Sequence, residues 1–113
     1  MFKNPFSRSA AQDPDTIEFE DLAEAARSGE VAIVDVREPH EFVAGHVPKA
    51  VNMPMSRFDA RALPSGKPVV LICQAGGRSR NALNQARAAG RNDVKHYAGG
   101  MNGWRSRGGE VAL

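Results

Sequence analysis

The stretch Val69-Val-Leu-Ile-Cys-Gln-Ala-Gly-Gly-Arg-Ser79 carries the most information about the fold of this chain. Its first four residues, 69–72, are apolar and mostly β-branched, which predicts the strongest strand of the sequence, ending on Cys73. Residues 74–78 contain two glycines and predict a loop, and Ser79 is expected to begin a helix. The stretch therefore predicts a cysteine at the carboxyl end of a buried strand, directly before a glycine loop and a helix.

Short β-rich runs alternate with helical patterns on both sides of this stretch. The run 31–36 is continuously apolar up to Asp35, as is typical of a strand covered on both faces in a parallel sheet. Strands are expected at residues 17–19, 31–36, 50–53, 69–72 and 94–97, with helical segments between them. The alternation predicts an α/β fold: one open, five-stranded, mainly parallel sheet with helices on both faces.

Length and charge limit the classes of protein to consider. The 113 residues have room for one compact domain. We expect residues 1–14 to be a flexible N-terminal lead-in and residues 15–113 to form the domain. The net charge of +2 is scattered along the chain, so no nucleic-acid partner is expected. The longest apolar run, residues 69–73, is far shorter than the roughly 20 residues of a membrane-spanning helix, so we expect a soluble protein without a membrane partner.

Cys73 is the single cysteine of the chain, so an internal disulfide is impossible and a reducing, cytoplasmic location is expected. Its predicted position favours reactivity, because ligands of open α/β sheets bind beyond the carboxyl ends of the strands. Backbone N–H groups of the loop and of a helix start can converge on a thiolate there, and Arg78 adds a positive charge. Gly76 and Gly77 suit such a loop because they tolerate positive φ. A buried cysteine before an ordinary glycine turn is the alternative interpretation of these residues.

Three segments of the chain resemble signatures of the rhodanese family, in that family's order and spacing across residues 16–106. They are Asp35-Val-Arg-Glu-Pro39 with Gly45-His-Val-Pro48 behind it, the loop Cys73-Gln-Ala-Gly-Gly-Arg-Ser79, and Gly99-Gly-Met-Asn-Gly-Trp104. The resemblance implies a sheet of five parallel strands with Cys73 as the catalytic sulfur acceptor. It also implies a cradle for the persulfide formed by Gln74, Ala75, Gly76, Gly77, Arg78 and Ser79. Lys49 departs from the pattern, because the family usually has a small residue there, often Gly.

The activity that the resemblance implies is that of a thiosulfate sulfurtransferase. A thiolate at Cys73 takes a sulfane sulfur from a donor such as thiosulfate and passes it to a thiophilic acceptor. With no second cysteine in the chain, the acceptor has to be cyanide, a thiol or a partner protein. No cofactor is expected. The alternatives are a sulfur-carrying or regulatory module without turnover and, less favoured, a phosphatase or arsenate reductase. Related phosphatases have five residues between Cys and Arg, whereas four separate Cys73 from Arg78.

Several other polar residues have weaker claims on the site. Asp35 and Arg37 follow a strand that neighbours the cysteine strand in the family, so they either tune the site or form a structural pair that fixes the next loop. We favour the structural pair. His40, His46 and His96 lack metal-ligand spacing, so no metal site is expected and all three are interpreted as structural or exposed.

Overall fold

The structure is a computed structural model that describes residues 13–113. Its helices are α1 (Phe19–Ser28), α2 (Pro39–Phe42), α3 (Gly77–Ala88) and α4 (Gly100–Ser106), and two short 3₁₀ turns cover Met55–Arg57 and Ala60–Ala62. Its strands are β1 (Ala32–Asp35), β2 (Val51–Asn52), β3 (Val69–Ile72) and β4 (Val94–His96). Among these described residues, no helix combines the length and apolar character that a membrane span requires. Residues 1–12 of the expected lead-in lie outside the described residues, and the domain boundary at residue 15 stays a prediction.

The sheet is parallel throughout, in the order β2-β1-β3-β4. The expectation of an α/β fold with a parallel sheet is confirmed, but the expected count of five strands is wrong, since the described residues contribute four to the sheet. The missing strand is the segment 17–19. Only Thr16 bridges to the sheet, through His96, and α1 already begins at Phe19, which leaves too few extended residues for a strand.

Side chains of β3 alternate between two apolar cores, one on each face of the sheet. Val70 and Ile72 pack with residues of α1 and α4, such as Leu22 and Trp104, on one face. On the other face, Val69, Leu71 and Cys73 pack with α3, through Ala82, Leu83 and Ala86, and with Ala60 and Leu63 of the 3₁₀ region. All four residues of β3 are buried, which explains why the strand is apolar without interruption.

Candidate functional site

Cys73 follows β3 directly, at the edge of the sheet where the carboxyl ends of the parallel strands meet. Asp35, the last residue of β1, is the register partner of Ile72, and the Val36 amide donates to the Ile72 carbonyl at 2.9 Å. The acidic end of β1 and the cysteine at the end of β3 are therefore neighbours. Such an edge is where ligands of open α/β sheets bind.

The Cys73 sulfur is the focus of several hydrogen-bond donors. The Gly76 amide donates to Sγ at 3.1 Å and the Ser79 amide at 3.3 Å, while Ser79 Oγ lies 3.5 Å from the sulfur. Burial of the side chain, which is 1% exposed, opposes ionisation. Hydrogen bonds from Ser79 and from the Gly76 and Ala75 amides outweigh that effect and lower the pKa of Cys73. The thiol is thus buried among apolar side chains, yet the dipoles around it are directed toward the sulfur.

Gly76 gives the loop the shape that aims these amides. It has φ +103°, in the left-handed region that favours glycine, and it is the N-cap of α3. A Cβ on Gly76 would collide with the Ala98 carbonyl oxygen. The sequence predicted a helix start at Ser79, but α3 begins at Gly77, so Arg78 lies in the first helical turn and not in the loop. The helix start therefore lies directly beside the sulfur, where its free amides favour a negative charge.

The first turn of α4 supports the cysteine loop from outside. The Met101 amide donates to the Cys73 carbonyl at 2.8 Å, and the Asn102 amide donates to the Gln74 carbonyl at 3.1 Å. Gly100, at φ +62°, lies so close to the Gln74 backbone that a Cβ would collide with it. These contacts hold the carbonyls of the loop away from the sulfur, which leaves its amides for the site.

Arg78 is held by a carboxylate that the sequence did not single out. Its guanidinium forms a two-pronged ion pair with Glu41 of α2, at 2.7 Å and 3.0 Å. The guanidinium lowers the pKa of Glu41 to about 2, and Glu41 in turn raises the pKa of Arg78. The charge of Arg78 still acts on Cys73 through space, but the hydrogen bonds that stabilise the thiolate come from Ser79, Gly76 and Ala75.

Asp35 and Arg37 form a buried ion pair that reaches the cysteine loop. The two side chains are 0% and 3% exposed, and Arg37 Nη2 lies 2.8 Å from Asp35 Oδ2 while Nε contacts both carboxylate oxygens. The remaining donors of Arg37 bind the Gly45 carbonyl at 2.8 Å and Gln74 Oε1 at 3.0 Å. Gln74 Nε2 continues the chain of contacts to Asn102 Oδ1 at 2.6 Å. The pair thus braces the first residue after Cys73 and touches the sulfur nowhere in these contacts.

The expected cradle residues differ in their exposure to solvent. Ala75 and Gly77 are exposed, whereas Ser79 is fully buried beside the sulfur. The loop 74–79 therefore has an outer part that faces solvent and an inner part that contacts Cys73.

The three histidines have different surroundings. His40 is exposed on α2, and the His46 ring stacks on Phe42 at 3.8 Å. His96 is 2% exposed, and its Nδ1 lies 2.8 Å from Ser79 Oγ, next to the sulfur. No group of three or more potential metal-ligating side chains occurs within residues 13–113. Nothing in the sequence identified His96 or Glu41 as neighbours of the loop, because only the sheet and α2 bring them there.

A separate open cleft of about 680 Å³ lies between α1 and α4. Phe19 and Trp104 line its apolar side, and Lys49 and Arg107 lie at its charged side. None of residues 73–79 lines this cleft. No cysteine lines it, so this cleft is separate from the surroundings of Cys73.

Comparison with known proteins gives one family. The family model described as Rhodanese-like domain matches residues 18–107. A crystal structure of a rhodanese-related protein from Thermoplasma volcanium superposes with a TM-score of 0.78 and 31% sequence identity, covering 88% of this chain and 98% of that one. The match therefore extends from the sequence to the arrangement of its helices and strands.

Two relatives illustrate the range of this similarity. The uncharacterized protein slr1261 of Synechocystis is 41% identical over 102 residues, which are 88% of this chain and 57% of the relative. The thiosulfate:glutathione sulfurtransferase of Saccharomyces cerevisiae is 35% identical over 95 residues, covering 71% of this chain and 68% of the yeast protein. The chain thus spans little more than half of the Synechocystis protein and about two thirds of the yeast enzyme.

Proposed function

The chain belongs to the family of rhodanese-like domains, and we propose that it is a sulfurtransferase that carries sulfur as a persulfide on Cys73. The observation that carries the proposal is the set of donors directed at the sulfur: the amides of Gly76 and Ser79 at 3.1 Å and 3.3 Å. A thiolate is the nucleophilic form of cysteine, and these donors favour it.

In the first half-reaction the Cys73 thiolate attacks the outer sulfur of thiosulfate. A new S–S bond forms, the S–S bond of thiosulfate breaks, and sulfite leaves with the bonding electron pair. The product is an anionic persulfide whose outer sulfur projects toward the loop. The start of α3 supports this step, because amides without an intrahelical acceptor stabilise negative charge at that position.

In the second half-reaction a nucleophile takes the outer sulfur and Cys73 leaves as a thiolate. The name of the yeast relative suggests thiosulfate as the donor and glutathione as the acceptor. Cyanide and the thiol of a partner protein have the same thiophilic chemistry. The persulfide intermediate divides the transfer into two easier steps. The same amides stabilise the cysteine sulfur in both of them.

The length of the cysteine loop argues against phosphatase or arsenate reductase activity. Only four residues separate Cys73 from Arg78, whereas related phosphatases have five, so this loop makes a smaller cradle at the sulfur. Rapid hydrolysis of an aryl phosphate without any sulfur transfer would contradict this part of the proposal.

The direct test is intact-mass spectrometry of the protein after incubation with thiosulfate. We expect a gain of one sulfur atom, its removal by cyanide or glutathione, and no gain in Cys73→Ser. Steady-state rates should follow ping-pong kinetics. A mass gain without turnover would identify a sulfur carrier instead, and no gain with any sulfane donor would contradict the proposed persulfide itself.

A further inference from the structure

Ser79 and His96 form a buried hydrogen-bonded pair directly behind the Cys73 sulfur. The side chains are 0% and 2% exposed, and Ser79 Oγ lies 2.8 Å from His96 Nδ1 and 3.5 Å from Cys73 Sγ. The three polar atoms thus form a continuous row from the sulfur to the end of β4. We propose that His96 is a positioning residue whose Nδ1–H donates to Ser79 Oγ and directs the hydroxyl hydrogen toward the Cys73 sulfur.

The count of hydrogens at Ser79 supports this assignment. A serine hydroxyl has one hydrogen to donate and two lone pairs that accept. Its neighbours are the sulfur, His96 Nδ1 and the Gly76 carbonyl, to which the hydroxyl is also placed to donate at 3.2 Å. The Gly76 carbonyl already accepts the Arg80 amide at 3.0 Å, so it does not depend on the serine hydrogen. If Nδ1 donates, the carbonyl and the sulfur are the two acceptors left for that hydrogen, and the thiolate is the charged one. An accepting Nδ1 would be a third competitor for it.

The other ring nitrogen of His96 points to the same tautomer. Nε2 is buried and has no hydrogen-bond partner among the described residues. Buried N–H groups without a partner are rarer than acceptors with a free lone pair. The ring is therefore better accommodated with its hydrogen on Nδ1, where Ser79 can accept it, and with Nε2 bare.

The surroundings of His96 favour a neutral ring, which has only one N–H. Burial lowers the pKa of His96, and the positive charge of Arg80 acts in the same direction, while Asp15 and Asp13 oppose it. Asp15 is itself bound by Arg80 at 2.8 Å and by Arg87 at 2.9 Å. The charges of Asp15 and Arg80 therefore largely offset each other at the imidazole, and burial is the main cause of the lowered pKa.

The backbone fixes the position of the ring from both sides. The His96 amide donates to the Asp15 carbonyl at 2.9 Å, and the His96 carbonyl accepts the Ile17 amide at 3.2 Å. Within the sheet, His96 is in register with Leu71, two residues before the cysteine. His96 can therefore hold Ser79 in one orientation while the sulfur changes between thiolate and persulfide. The role of His96 in catalysis rests on the proposed function, but the arrangement of its hydrogen bonds does not.

The test is the pKa of Cys73, measured from the pH dependence of its alkylation by iodoacetamide. His96→Leu removes the donor, so we expect the pKa of Cys73 to rise by about one unit, a tenfold change in the ionisation equilibrium. His96→Asn keeps an amide donor near the position of Nδ1 and should restore much of the shift. His40→Leu, at an exposed histidine, should change nothing.

A double-variant comparison separates this role from a purely structural one. Ser79→Ala should raise the pKa of Cys73 as well, and adding His96→Leu should raise it no further, because both changes interrupt the same row of hydrogen bonds. Shifts that add, or a folded His96→Leu variant with the original pKa, would overturn the proposal.

A measurement on the unaltered protein covers the case of a variant that does not fold. In ¹⁵N-labelled histidine spectra, His96 should carry its hydrogen on Nδ1, and a hydrogen on Nε2 would overturn the proposal. Neither alkylation nor the spectra need a sulfur donor. Failure of sulfur transfer and failure of this inference are therefore seen in different experiments.

Discussion

Replacing Arg37 with methionine leaves the Asp35 carboxylate buried without its partner. The carboxylate is 0% exposed and receives Arg37 Nη2 at 2.8 Å and Nε at 3.0 Å and 3.1 Å. Removing one member of a buried ion pair costs about 3–5 kcal/mol, because the remaining charge has lost its partner and is shielded from water. The total free energy of unfolding of a domain is about 5–15 kcal/mol, so Arg37→Met is expected to be close to the limit of stability.

Urea unfolding followed by the fluorescence of Trp104, the single tryptophan, measures this cost. A slope of about 2 kcal/mol per molar urea converts the expected loss into a midpoint lower by about 2 M. Arg61→Met is the matched control, since Arg61 and Asp59 form an exposed pair with side chains 85% and 50% exposed. Its effect should stay within about 0.5 kcal/mol.

Adding Asp35→Asn to Arg37→Met distinguishes lost charge compensation from lost packing. The asparagine still accepts the residue 37 amide, which donates to Asp35 Oδ1 at 3.0 Å, but it leaves no charge buried. The double variant should therefore be more stable than Arg37→Met alone. A cost below about 1 kcal/mol for Arg37→Met, or a double variant that is less stable than the single one, would refute the reasoning.

Three further predictions follow from the site and its supports. The pKa of Cys73 is lowered and the thiolate is the reactive form, so the alkylation rate of Cys73 should rise with pH. The rate should reach half its maximum at a lower pH than that of an unfolded cysteine peptide. A midpoint at or above that of the peptide would contradict the assigned hydrogen bonds. In the same urea assay, Gly100→Ala should lower the free energy of unfolding by about 1–3 kcal/mol more than Gly108→Ala. Both glycines have positive φ, but only at Gly100 does a Cβ collide with the Gln74 backbone. Equal costs would contradict this close approach. Lys49 has φ 72°, so Lys49→Gly should raise the melting temperature, with a gain of up to about 1 kcal/mol, while Lys49→Ala retains the strained backbone and should give no gain.

The strand and loop around Cys73 were predictable because local patterns determine them. An apolar run buried on both faces correctly predicted β3, and the glycines indicated the turn before α3. The start of α3 at Gly77 was missed, because glycine has low helix propensity and only the left-handed Gly76 shows that the helix begins there. The strand expected at residues 17–19 was wrong, since α1 takes over at Phe19.

Contacts between distant segments could not be obtained from the sequence. Arg78 and Glu41 are 37 positions apart, and Ser79 and His96 are 17 apart, so no local spacing indicates that they meet. The positive φ of residue 49, which explains why the family often has a glycine there, is likewise visible only in the structure. Each of these features depends on how the parallel sheet brings its carboxyl edge together with the helices around it.

The close packing of Gly76 against Ala98 and of Gly100 against Gln74 has a consequence for redesign. The two backbones interlock with no space for a methyl group at either glycine, although they are far apart along the chain. Inserting a residue into the loop 74–79, to make room for a phosphate or arsenate at the cysteine, would push the loop into the backbone of residues 98–100. A change from sulfur transfer to phosphate chemistry therefore requires matched changes in both segments. A single insertion should abolish sulfur transfer without creating a new activity.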